Sequence, residues 1–290
     1  RAFGRCAGKT AALARVHQRR RYQGSGKGSL VMRKFILATF AISLLGAFSL
    51  LGMGSALASG DTPKPPSHKW SFSGPFGSFE RPALKRGFQV YSEVCSSCHG
   101  LSLVAYRNLA DIGFSKAEIA EISAEAEVED GPDDEGEMYF RPARASDRFV
   151  SPFENDNAAR SANGGSLPPD LSLIVKARNG GSDYIFALLT GYREEAPEGF
   201  EMNEDMYYNE YFPGHQIAML PPLDDEAVEY EDGTKPTLTQ HAEDVTVFLA
   251  WAASPELEAR KRLGIKVLVF LLVLTGMLFA LKRQIWAKLH

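Results

Sequence analysis

The segment Cys95-Ser96-Ser97-Cys98-His99 decides the fold, and it follows a helical pattern that runs from Pro82 to Val94. Cys-x-x-Cys-His is the attachment sequence for c-type haem. Thiols one helical turn apart can reach the two vinyl groups on one porphyrin edge, and the imidazole of the next residue then points at the iron. We therefore predict one covalent haem c, bonded through Cys95 and Cys98 and ligated by His99.

A thioredoxin-like redox pair is the competing interpretation of these two cysteines. Such a pair is typical of a βαβ context, and no segment around the motif alternates like a central strand. Instead, the preceding segment has apolar residues at helical spacing. The third cysteine, Cys6, lies far upstream. The pattern therefore favours haem attachment.

A second axial ligand for the iron is expected, and a methionine raises the potential relative to a second histidine. Met219 is the predicted ligand, because it lies in an apolar segment, Ile217 to Leu223, that two prolines stiffen. Three other methionines of the exported part lie in or beside acidic stretches: Met138, Met202 and Met206. His215 and His241 remain alternatives for a bis-histidine haem.

The N-terminal region has two parts. Residues 1–31 are basic, contain no acidic residue and have a doubtful status, either as a wrongly assigned upstream start or as the first half of an organelle presequence. Residues 32–58 predict a signal peptide, with a basic start, an apolar run and the small-residue site Ala56-Leu57-Ala58. An uncleaved transmembrane helix is the alternative. Residues 59–260 would then form an exported haem domain.

A second apolar stretch lies between basic residues near the C-terminus and predicts a transmembrane anchor at residues 261–283. Its alternative is a buried core helix. Because the signal peptide would export everything between the two apolar stretches, residues 284–290 are expected to form a cytoplasmic tail.

Charge is strongly uneven along the chain. All 36 acidic residues lie after Ser59, whereas ten of the 32 basic residues precede it, which leaves a net charge of −14 on the processed chain. This excludes nucleic acid as an expected partner and favours a basic protein partner steered by the field. The acids cluster at 118–137, 194–210 and 224–232. A solvated, partly disordered loop is the alternative for each cluster.

From about Ser67 to the C-terminus, the chain resembles the cytochrome c1 family. Besides the haem motif and the Met219 segment, the resemblance rests on further motifs: Ala158-Ala159-Arg160, Asn163-Gly164-Gly165, Leu167-Pro168-Pro169-Asp170-Leu171-Ser172, Lys176-Ala177-Arg178, Asp183-Tyr184 and Leu188-Leu189-Thr190-Gly191-Tyr192.

The resemblance implies a pocket in which Pro169 and Leu171 pack on the haem. It further implies that Arg178 pairs with a haem propionate, assisted by Tyr184, and that Asn163 and Arg160 shape the pocket. A guanidinium fits this role, because a partly buried carboxylate is costly unless it is paired. In this fold, the helix before the haem motif also crosses the last helix of the domain, here through Gly87 and Tyr91.

The family resemblance implies a mostly α fold: a class I c-type cytochrome domain with long loops and one C-terminal transmembrane helix. It implies electron transfer from a Rieske iron–sulfur protein to cytochrome c, within a dimeric complex that contains cytochrome b. The expected location is the bacterial inner membrane, with a single pass into the lipid and the haem domain on the periplasmic side. Three alternatives are a stand-alone membrane-anchored cytochrome c that feeds a terminal oxidase, a haem-based gas sensor and a dehydrogenase haem subunit.

Overall fold

The computed structural model describes residues 63–287, so the predicted signal peptide and the basic segment before it lie outside the described residues. The described part is mainly helical, as predicted. Its α-helices are α1 Arg81–Glu93, α2 Lys116–Ala124, α3 Asp156–Ala162, α4 Ile174–Ala177, α5 Gly181–Thr190, α6 Leu238–Ala253 and α7 Leu257–Trp286. Short 3₁₀ helices cover Cys95–Ser97, Tyr106–Ile112 and Pro213–His215. Two antiparallel pairs join β1 Glu127–Asp130 to β2 Tyr139–Pro142, and β3 Tyr207–Tyr208 to β4 Gln216–Ile217.

Local sequence signals explain where the helices begin. Pro82 lies in the first turn of α1, where a missing backbone N–H has no cost. Helix α2 starts with a capping box between Ser115 and Glu118. The N-cap of helix α6 is Thr237, whose hydroxyl accepts a hydrogen bond from the Gln240 N–H at 3.2 Å. These signals set the N-terminal ends of α1, α2 and α6.

Helices α1 and α6 cross at Gly87, and this crossing is the centre of the core. A Cβ atom at Gly87 would lie 2.0 Å from the Asp244 carbonyl oxygen, so only glycine allows the helices to approach this closely. The Tyr91 ring packs against Phe248, with ring centroids 5.7 Å apart. The predicted crossing through Gly87 and Tyr91 is confirmed.

A buried ion pair joins the two helices at the same crossing. The Arg86 guanidinium donates through Nε and Nη2 to both carboxylate oxygens of Asp244, at 2.8 and 2.9 Å, and through Nη1 to Asp232 at 2.9 Å. The Asp244 side chain is buried, and the hydrogen bond to it raises the pKa of Arg86 above its ordinary value. Because both charges are paired, the crossing carries its buried acid without an isolated charge.

Part of the acidic segment 118–137 forms regular secondary structure, and residues 131–137 form an exposed loop. The segment contains most of α2 and the first strand of the β1–β2 hairpin. Arg141 on β2 donates to Asp147 at 2.7 Å and also pairs with Asp130 on β1. Ion pairs and backbone hydrogen bonds hold this hairpin, since its side chains are mostly exposed.

Helix α7 contains the predicted anchor and extends beyond it at both ends. Helix α6 ends at Ala253, and α7 begins four residues later, after Pro255. Within the described residues, α7 is the one helix long and apolar enough to cross a membrane. Its apolar side chains are exposed, so the alternative of a buried core helix is wrong.

Candidate haem site

The cysteine motif forms one tight turn directly after α1. The backbone N–H groups of Cys98 and His99 both donate to the Cys95 carbonyl, at 3.2 and 2.9 Å. The Tyr91 hydroxyl donates to the His99 carbonyl at 3.2 Å. The motif is therefore attached to the α1–α6 crossing, and its two thiols and imidazole are presented from a fixed turn.

The environment of Cys95 disfavours a redox-active thiol pair. Burial, with a smaller contribution from Cys98, raises the pKa of the Cys95 thiol to about 12. Reactive cysteines of thioredoxin-like proteins require a lowered pKa, because the thiolate is the nucleophile. The thiol environment therefore agrees with the haem interpretation of the motif.

The His99 imidazole is oriented by the carbonyl of Pro169. Its Nδ1 lies 2.8 Å from that oxygen, and a carbonyl can only accept, so Nδ1 carries the proton. The Nε2 atom then keeps its lone pair for a metal. Burial lowers the pKa of His99, which favours the neutral ring that a metal requires.

The segment from Pro169 to Ser172 is tied to the turn that follows His99. The Asp170 carboxylate accepts hydrogen bonds from the backbone N–H groups of Ser102 and Ser172, each at 2.8 Å. Burial alone would raise the pKa of Asp170, but the hydrogen bonds from Ser172 and Ser102 lower it overall. Leu171 is buried, and its N–H donates to the Gly100 carbonyl at 2.8 Å. The structure thus brings Pro169 and Leu171 to the haem motif, 70 residues away in sequence.

Met219 is half-buried on a loop that begins with β4. The Tyr192 hydroxyl donates to the Met219 carbonyl at 3.1 Å. The fully buried Asn209 donates through Nδ2 to the Leu188 carbonyl at 2.8 Å, and its backbone N–H donates to the His215 carbonyl at 3.0 Å. These bonds fasten the methionine loop to the end of α5.

The other candidate axial ligands lie in different surroundings. His241 is buried with both ring nitrogens against carbonyl oxygens, Asp224 at 3.2 Å and Val228 at 3.0 Å. The His215 ring stacks on Tyr208, with ring centroids 5.8 Å apart. Three methionines have exposed side chains: Met138, Met202 and Met206.

Arg178 and Tyr184 lie close together at the start of α5. Burial raises the pKa of Tyr184, and the charge of Arg178 partly opposes this rise. The Arg178 side chain is exposed and donates to the Ala177 carbonyl at 3.2 Å. Asn163 lies at the end of α3, where its Nδ2 donates to the Ala159 carbonyl at 2.7 Å, and Arg160 donates to the Gly165 carbonyl at 3.1 Å. Their side chains therefore shape the end of α3.

The residues present fit a haem. Apart from the fixed imidazole, the segments of the site carry exposed leucines that an apolar macrocycle would cover. These leucines are Leu103, Leu167, Leu173 and Leu220. The exposed guanidinium of Arg178, five residues after Leu173, suits a carboxylate.

Sequence reasoning gave no individual role to three residues that organise this site: Asp170, Tyr192 and Asn209. Asp170 has a local signal, because Asp-x-Ser is typical of a turn in which the carboxylate accepts the later N–H. Asn209 has a similar signal, since its Oδ1 accepts from the Tyr211 N–H at 3.0 Å. The bond from Tyr192 to Met219 joins residues 27 apart and has no such local signal.

This arrangement, a helical domain with a Cys-x-x-Cys-His turn followed by one apolar helix, defines the class of membrane-anchored c-type cytochromes. The model of the Cytochrome C1 family matches residues 70–289. The chain is 49% identical over 273 residues to cytochrome c1 of Rhodospirillum rubrum, which covers 89% of this chain and 97% of that protein. The chain therefore belongs to the cytochrome c1 family.

Two further relatives differ in how much of their length is matched. Cytochrome b/c1 of Bradyrhizobium diazoefficiens is 48% identical over 277 residues, which is 88% of this chain and 40% of that protein. The mitochondrial cytochrome b-c1 complex catalytic subunit of Candida albicans is 46% identical over 264 residues, which is 89% of this chain and 92% of that protein. The family thus occurs both as a separate chain and as part of a longer one.

Proposed function

We propose that this chain is the electron-transfer subunit of a cytochrome bc1 complex, accepting one electron from a Rieske iron–sulfur protein and passing it to cytochrome c. Family membership supports a haem-bearing subunit, and the names of the Bradyrhizobium and Candida relatives support a complex that contains cytochrome b. The observation that carries the proposal is the His99 imidazole, held by Pro169 at 2.8 Å on the turn that presents both thiols.

Five residues would hold the cofactor. Cys95 and Cys98 would form the two thioethers to one haem c, His99 and Met219 would ligate its iron, and Arg178 would pair with a propionate. When bound, the iron supplies one-electron redox chemistry at a potential that methionine ligation raises. Leu171, Pro169 and Asn163 would line the pocket.

Several groups would position the ligands of the haem without contacting the iron themselves. The Pro169 carbonyl fixes the tautomer and the ring plane of His99, and the hydrogen bond that it accepts from Nδ1–H raises the basicity of Nε2. Tyr192 fixes the backbone of Met219. Tyr184 lies beside Arg178, where it would help to keep the guanidinium directed at a propionate.

The proposed location follows from the two ends of the chain. Residues 32–58 would direct export to the periplasmic side, 59–260 would form the haem domain there, and α7 would cross the bacterial inner membrane once, leaving 284–290 in the cytoplasm. The acidic charge of the exported part would attract a basic cytochrome c. We propose that the complex is dimeric.

A Met219→Leu variant tests the proposed ligand. The expected result is a haem that stays covalently attached, as measured by the pyridine haemochrome spectrum, with a lowered reduction potential. A Met138→Leu variant is the matched control and should keep the wild-type potential, because Met138 is exposed on the loop of the hairpin. An unchanged potential in Met219→Leu would mean that another residue ligates the iron.

Co-purification tests the proposed complex. The full chain should copurify from membranes with a b-type cytochrome and a Rieske protein. Isolation with a terminal oxidase instead would favour the stand-alone anchored cytochrome, and a reduced spectrum that shifts with carbon monoxide would favour a gas sensor.

A further inference from the structure

The loop of residues 72–79, here called the collar loop, is fixed to the first turns of α7. The Lys261 ammonium donates to the Phe72 carbonyl at 2.6 Å and to the Gly77 carbonyl at 3.0 Å. Glu258 accepts from the Phe79 N–H at 2.8 Å. Both ends of the collar loop are therefore held by α7, and the loop cannot move independently of that helix.

A second bond continues this attachment into the haem domain. Arg81, the first residue of α1, donates to Glu258 at 2.8 Å. Within the collar loop, the rings of Phe72 and Phe79 pack together, with centroids 4.9 Å apart, and Phe79 is buried. The loop thus has an apolar inner side that belongs to the domain core.

Phe76 lies between Phe72 and Phe79 in the collar loop but does not share their burial. Its side chain is 84% exposed, which exceeds the largest value in the apolar stretch of α7, 73% at Leu272. A fully exposed phenylalanine on a loop with an apolar inner side has no role in packing the domain. Such a residue marks a surface that another apolar phase covers.

The position of the collar loop along α7 identifies this apolar phase as the lipid bilayer. Leu263 follows Lys261 by two residues and Val267 follows it by six, which correspond to rises of about 3 Å and about 9 Å along a helix. The polar layer on each side of a bilayer is about 5–7 Å thick. The collar loop is bonded to Lys261 itself, so it lies at the depth of the lipid headgroups when α7 spans the membrane.

Charge at the same level fits a lipid surface. Arg260 and Arg262 are exposed on either side of Lys261. Basic residues at this depth attract anionic headgroups, while an aromatic ring inserts at the boundary with the acyl chains.

We propose that Phe76 inserts into the lipid interface beside α7 and that the collar loop thereby fixes the tilt of the haem domain over the membrane. The occupant of this surface is phospholipid, including anionic lipid. The inference rests on α7 crossing the membrane and is independent of which residues ligate the iron.

A photo-crosslinking experiment tests the proposal. A benzophenone amino acid replaces Phe76 in the full chain, within the complex reconstituted into phosphatidylcholine and phosphatidylglycerol liposomes. The same amino acid at Phe140 is the matched control, because Phe140 is 70% exposed but lies on β2, which pairs with β1. A haem spectrum identical to wild type shows that each variant has folded.

The expected result is a lipid adduct at position 76 in about tenfold or greater excess over position 140, since burying one aromatic side chain shifts its partition by at least this factor. Equal lipid adducts at the two positions would overturn the proposal. An adduct to cytochrome b or another subunit at position 76 would also overturn it, because the surface would then be a protein contact.

Discussion

The crossing of α1 and α6 makes a quantitative prediction for a Gly87→Ala variant. The added Cβ would lie 2.0 Å from the Asp244 carbonyl oxygen and 2.7 Å from the Phe248 Cβ. Backbone atoms form the closest contact, so no side-chain rotation relieves it. The two helices must move apart by about 1.5 Å to restore an ordinary contact.

The cost of this movement lies at the upper end of the range for overpacking, about 3 kcal/mol. The same shift loosens the contact of Tyr91 with Phe248 and the paired bonds from Arg86 to Asp244. For a domain of this size, 3 kcal/mol corresponds to a fall in Tm of roughly 6–12 °C.

Thermal unfolding of the full chain in detergent, followed by the haem absorption, measures this effect. The matched control is Ser92→Ala, which adds no atom and changes an exposed residue on the same helix. The free energy of unfolding of this control should stay within about 0.5 kcal/mol of the wild-type value. If Gly87→Ala unfolds at the wild-type temperature, the close crossing and the reasoning from it are wrong.

Three further variants test other parts of the structure. Tyr192→Phe removes the 3.1 Å hydrogen bond to the Met219 carbonyl, so the stability of the methionine loop should fall by about 1 kcal/mol. The sulfur-to-iron absorption band should then disappear at a lower temperature than in wild type. An unchanged temperature would refute this prediction. The hydrogen bond from Arg141 lowers the pKa of Asp147 to about 2. This pair therefore stabilises the fold fully at a pH above the unfolded pKa of roughly 3.9, and its stabilisation is lost as the pH falls towards 2. Between about pH 5 and about pH 3, the free energy of unfolding measured with denaturant should therefore fall more for wild type than for Asp147→Asn. Equal falls would contradict this prediction. A variant with neutralised acids at the tip of the hairpin should reduce the salt dependence of cytochrome c reduction. An unchanged slope would count against a role of these acids in docking. The variant carries Asp133→Asn, Asp134→Asn, Glu135→Gln and Glu137→Gln.

The haem turn and the helix crossing could be predicted because their information is local or periodic. The spacing of the cysteine motif requires a single turn, and the apolar residues of α1 and α6 recur at helical intervals. The resemblance supplied the pairing of these helices through Gly87, which the structure confirms. Prediction of α7 needed only the length of an apolar stretch.

The support of the methionine loop could not be predicted, because it depends on contacts between distant residues. Tyr192 and Asn209 bond to groups 27 and 21 residues away, and neither residue type specifies its partner. The regular structure within the acidic segment could not be predicted for a different reason. Composition predicts solvation, but backbone pairing and the ion pairs of Arg141 order the hairpin without a buried apolar face.

Extraction of the denatured polypeptide with acidified acetone tests the central claim most directly, because this treatment removes a haem that is held only by axial ligands. With thioethers at Cys95 and Cys98, the colour and the iron should stay with the polypeptide. A colourless polypeptide, with the haem in the organic phase, would contradict the account.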